Sequence, residues 1–73
     1  MPVVQKHYLK TITIQDKYSY RLLDVEAGTN HWVEAEPIGG RGCITRTAEN
    51  EKVLRIILEN DAIRLTREQQ RVR

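Results

Sequence analysis

The chain has 73 residues and a formal charge of +2, with twelve basic side chains against ten acidic ones. That length allows one domain, and so short a chain buries only about 60% of the surface its unfolded form exposes. Cys43 is the single cysteine, which excludes an internal disulfide and a cysteine-built zinc site, so stability must come from packing or self-association, and a homo-oligomer is expected.

Residues 7–14 are rich in β-branched side chains and read as a first strand, with Tyr8, Ile12 and Ile14 on one face. Gln15-Asp16-Lys17 is a short polar break that suggests a hairpin. Residues 18–27 form the second strand. Its apolar parity changes partway: Tyr18, Tyr20 and Leu22 share one face, whereas Leu23, Val25 and Ala27 share the other. A flat strand with one wet face does not do this. The pattern predicts a bulge or bend near Leu22-Leu23, or else a strand covered on both faces.

Gly28-Thr29-Asn30 is a turn signal, and residues 31–38 form the third strand. Pro37 cannot donate to a ladder, so that strand ends there or lies on an edge. Gly39-Gly40-Arg41-Gly42 reads as a loop, and residues 43–47 as a short fourth strand. A helix follows. Thr47 is the expected N-cap, Glu49 and Glu51 fall in the first turn, and Val53, Leu54, Ile57 and Leu58 recur at helical spacing. Asn60 fits a left-handed stop, residues 62–65 return as a fifth strand, and the Thr66/Gln69 pair matches a capping box that starts a short terminal helix at Arg67. The rival reading joins residues 48–73 into a helical hairpin. The fold class expected is therefore α+β or a small SH3-like β-barrel: four to five short antiparallel strands, with one helix before the last strand.

No run is apolar enough to span a bilayer, and the first residues lack the apolar core of a signal peptide. With one free cysteine, this points to a reducing, cytoplasmic setting without membrane contact. No cofactor is implied. The possible metal ligands His7, His31, Glu34, Glu36 and Cys43 show no paired spacing, and Glu34 and Glu36 read as a solvated strand face. Cys43 reads as a small hydrophobe. The glycine loop lacks the Gly-Lys-Ser/Thr of a phosphate loop and reads as a hairpin connection. Met1-Pro2-Val3-Val4 resembles the opening of the small tautomerases, which use an N-terminal proline as base. In that family the first strand leads into a long helix, whereas here that stretch holds Tyr18-Ser19-Tyr20-Arg21 and reads as β. An enzyme is therefore not expected.

Charge is uneven along the chain. Residues 1–40 hold four basic and five acidic side chains, and residues 41–73 hold eight and five. Arginine dominates the second half, and its planar fork suits phosphate. The sequence thus points to a non-enzymatic, self-associating binding module. Arg41, Arg46, Arg64, Arg67 and Arg71 are the expected phosphate contacts, with Trp32 or a tyrosine stacking on a base. The alternative is a protein–protein interaction or regulatory subunit that binds no nucleic acid. Its contact surface would be Trp32, Ile56, Tyr18 and Tyr20.

Overall fold

The computed structural model describes residues 3–71, which form an α+β unit: β1 (Val4–Ile14), β2 (Tyr18–Ala27), β3 (Asn30–Ile38), β4 (Arg46–Ala48) and α1 (Glu51–Arg71). The strands make one antiparallel sheet in the order β1-β2-β3-β4. Both tight turns arise from local backbone chemistry. Gln15 and Asp16 take φ of 55° and 53°, and the Lys17 N–H donates to Ile14 O at 3.1 Å. Gly28 takes φ of 64°, where a residue without Cβ is unstrained, and Ala27 then pairs with Asn30.

The sheet is open and not closed into a barrel, with β1 at one edge and the three-residue β4 at the other. Pro37 pairs with Tyr20 of β2, and β4 reaches only Val33–Ala35, so β3 is an edge where its N–H is missing.

The expected bulge exists, but on the neighbouring strand. Tyr8 pairs with Leu23 and Lys10 with Leu22, so Leu9 is an extra residue opposite the point where the parity of β2 changes. This corrects the face assigned to Tyr8. Ile12 and Ile14 lie under the helix, whereas Tyr8 is carried to the other side.

The helix is longer than expected and ends the described chain. Residues 62–65 continue it, so among the described residues there is no fifth strand, no helix preceding a last strand, no second helix starting at Arg67 and no helical hairpin. Leu54, Leu58, Ala62 and Leu65 make one buried stripe against Ile12, Ile14, Tyr18, Tyr20, Leu22, Val33 and Ala35. Asn60 inside a helix costs only about 0.7 kcal/mol relative to alanine. Burying Leu65 alone contributes about 1.5–3 kcal/mol, which outweighs that penalty. The cap is Asn50, not Thr47. Its Oδ1 accepts from the Val53 N–H at 3.0 Å, while Thr47 lies within β4. In the first turn, hydrogen bonds from Arg55 and Lys10 hold the Glu51 carboxyl below its usual range.

Tyr18 and Tyr20 are each 1% exposed and floor this core, so they do not form the surface expected of a partner interface. In a chain with no phenylalanine, these rings supply the large apolar volume the core needs. The helix runs alongside β1. Its first turn meets Lys10 through Glu51, and its end meets the β1–β2 turn through Lys17–Gln69 and Gln15–Thr66 contacts. It therefore covers only half of the sheet. Beyond its N-terminus the uncovered side carries polar His7, Asp24 and His31, with His31 bonded to Asp24. The apolar residues of that half, Leu23 and Val25, turn to the opposite face.

No helix among the described residues is long and apolar enough to cross a membrane.

Candidate functional site

The face of the sheet opposite the helix carries Lys6, Tyr8, Thr11 and Thr13 from β1, Ser19, Arg21, Leu23 and Val25 from β2, and Trp32, Glu34 and Glu36 from β3. This follows from the pairing register and the two-residue period of a strand. No helix or strand lies over it among the described residues. Its distal half has a dry floor, Leu23 and Val25, both buried. Tyr8 stands above this floor 59% exposed, and Trp32 is half-buried.

Two rows of side chains cross β2 here. One runs Lys6, Val25, Trp32 and the other Tyr8, Leu23, Glu34. Lys6 and Glu34 join over β2 on one diagonal, with Nζ 3.3 and 3.2 Å from the two carboxylate oxygens. The rings of Tyr8 and Trp32 stand at the other two corners. Glu34 is only 9% exposed, which corrects its expected place on a solvated face. Burial of this carboxylate is tolerable because the Lys6 ammonium reaches it directly. Glu36 does face solvent, and Arg21 binds it at 2.9 Å.

Hydroxyl groups line the other half of the face. The Tyr8 hydroxyl bonds Thr11 Oγ1 at 2.9 Å, a contact between residues three apart that the Leu9 bulge brings to one side. Thr13 and Ser19 bond at 3.1 Å. Such groups are suited to phosphate and sugar oxygens.

The arginines lie elsewhere. Arg46 on β4 binds Asp61 with Nε 3.2 Å from Oδ2, and Arg64 reaches the same carboxylate at 3.8 Å. Arg41 has φ of 78° in the glycine loop and borders a groove of about 420 Å³ lined also by Gly42, Leu65, Glu68 and Gln69. Arg67 is exposed on the helix. The side chain of Arg71, like Pro2, falls outside the described residues. The structure does not bring Trp32 and this arginine group together. Val25, the partner of Trp32, and Tyr18, which touches Thr66, are seven residues apart on β2, about 23 Å. Arg41, Arg64 and Arg67 belong to the helix-side end of the molecule and Trp32 to the open face at the other.

Ile56 and Ile63, 52% and 44% exposed, border a groove of about 490 Å³ between the helix and the β1 edge, shared with Thr13, Ile14, Arg55 and Asn60. Cys43 is half-buried and packs against the core. Among the described residues no three His, Cys, Asp or Glu side chains gather as a metal ion would require.

Sequence reasoning missed Lys6, Glu34 and Asp61. A parity change in β2 was the available signal for the first two, because it announces an apolar floor on the second face. Asp61 carried no such signal. Comparison with protein-family models, curated proteins and solved structures finds no match for this chain.

Proposed function

We propose that the protein is a non-enzymatic binding module that takes single-stranded nucleic acid across the open face of its sheet. The observation that carries this reading is the pair of aromatic rings, Tyr8 and Trp32, standing over a dry floor on the side the helix leaves bare. Stacking on such a ring is worth about 1–3 kcal/mol per base and needs an unpaired base, since a duplex hides its base faces. Thr11, Thr13 and Ser19 then meet the backbone, and Arg21 exchanges Glu36 for a phosphate.

The arginines at the other end serve the longer-range field. Arg46 and Arg64 set two guanidinium groups against one carboxylate, and Arg41 and Arg67 have no carboxylate partner among the described residues. They supply the salt-sensitive share of binding.

Trp32 is the single tryptophan, so its fluorescence reports on this face alone. Titration with a short single-stranded oligonucleotide should quench it at low salt, with weaker binding as salt rises. Unchanged emission at low salt would remove the reading.

A second reading, self-association or a protein partner without nucleic acid, is favoured by exposed Ile56 and Ile63 on the outer helix face. It calls for a stable assembly with little salt dependence.

A further inference from the structure

The four corners of the distal patch carry more than two stacking rings. Glu34 follows Trp32 by two residues on the same face of β3, about 6.8 Å along the strand. A base stacked on Trp32 is within reach of Glu34 through its edge. Both carboxylate oxygens accept from the Lys6 ammonium and from no other group among the described residues. An ionised carboxylate has about four acceptor sites, so two further N–H groups can be received. Lys6 is half exposed and free to shift along the carboxylate. The pair then offers, side by side, one cationic donor and two acceptors.

That order selects among bases. The Watson–Crick edge of guanine carries an acceptor, O6, beside two adjacent donors, N1–H and the N2 amine. Adenine and cytosine offer one donor group and turn a ring acceptor toward the carboxylate. Thymine and uracil place their single N–H between two carbonyl oxygens, which a carboxylate repels. Bidentate pairing with guanine replaces the hydrogen bonds that Glu34 gives up when Lys6 shifts, and Lys6, held at the neighbouring O6, keeps its positive charge beside the carboxylate.

We propose that Lys6 and Glu34 read an unpaired guanine stacked on Trp32, with Glu34 accepting from N1–H and N2 and Lys6 donating to O6. The inference rests on the nucleic-acid reading above and adds base preference to it.

The test uses the full chain and three single strands of equal length: all thymine, the same strand with one central guanine, and the same strand with inosine there, which lacks only the N2 amine. Affinity is read from Trp32 fluorescence. The guanine strand should bind roughly tenfold more tightly than the thymine strand, with inosine between them. In Glu34→Gln the guanine preference over thymine should fall to about twofold or less. Equal quenching and affinity for guanine and thymine strands would overturn the base reading and leave the nucleic-acid reading standing. A guanine preference that survives in Glu34→Gln, or equal affinity for guanine and inosine, would also overturn it. No quenching by any strand would end both. The inosine comparison needs no variant, so it holds even if Glu34→Gln fails to fold.

Discussion

Arg46 Nε lies 3.2 Å from Asp61 Oδ2, and this contact ties the three-residue β4 to the middle of the helix. Asp61 is 7% exposed, while the arginine side chain is just over a third exposed. Removing the arginine leaves a nearly buried carboxylate with only Arg64 at 3.8 Å. Exposed pairs contribute about 0–1 kcal/mol, and breaking buried ones costs about 3–5 kcal/mol. Arg46→Leu should therefore lower stability by about 2 kcal/mol in urea unfolding, and Arg64→Ala by under about 0.5 kcal/mol. Equal effects would mean that Asp61 does not depend on β4.

The helix start makes a second comparison. Asn50 accepts the Val53 N–H, whereas Thr47 sits in the sheet pairing with Glu34. Asn50→Ala should cost about 1 kcal/mol in the same unfolding measurement. Thr47→Ala loses no cap and should fall within about 0.5 kcal/mol of the parent. The reverse order would return the cap to Thr47.

How much of this was legible varies by element. The β2 strand was readable end to end because turn-forming residues bracket an unbroken run of strand formers. The helix was cut short at Asn60 because asparagine favours a left-handed stop, and only the sheet beneath shows that Ala62 and Leu65 continue the stripe of Leu54 and Leu58. Trp32 was readable as a ring on a polar strand face. Strand alternation alone puts Tyr8 on the helix side, because one inserted residue, Leu9, reverses every side chain before it and no local composition marks it. Tyr18 and Tyr20 read equally well as surface or core until the helix covers them.

Deleting Leu9 tests that insertion. Tyr8 would then directly precede Lys10, so the pairs Tyr8–Leu23, His7–Asp24 and Lys6–Val25 continue as a regular ladder and the Lys6–Glu34 pair stays on the open face. We expect urea unfolding within about 1 kcal/mol of the parent and unchanged Trp32 emission. A loss of about 3 kcal/mol or more with altered Trp32 emission would show that Lys6 had left Glu34 and that Leu9 is not the inserted residue.

Alkaline pH offers a different probe. Burial pushes the Tyr20 hydroxyl far above the usual tyrosine range, and the neighbouring Cys43 and the nearby Asp61 charge add to this. The unfolded chain releases this proton near pH 10, whereas the folded chain keeps it, so unfolding releases a proton above that pH. Stability should be unaffected by this group below about pH 10 and should decline as pH rises beyond it. Ultraviolet difference spectra should show Tyr20 ionising only with the unfolding step. Tyr20→Phe should flatten the alkaline decline. Ionisation of all the tyrosines without unfolding would contradict the packing of Tyr20.

The outer helix face separates packing from association. Leu58 is fully buried, so Leu58→Ala should cost about 2–5 kcal/mol. Ile56 is 52% exposed, so Ile56→Ala should change unfolding by no more than about 0.5 kcal/mol at low protein concentration. If a second copy covers the groove beside Ile56 and Ile63, the mass in solution should exceed that of one chain and Ile56→Asp should reduce it, while Arg67→Ala should not. A charge placed at an apolar contact must be desolvated there, whereas Arg67 is exposed and has no carboxylate partner among the described residues. An Ile56→Asp chain of unchanged mass in an assembling protein would move the interface elsewhere, and a parent that stays monomeric at high concentration would remove self-association through this face.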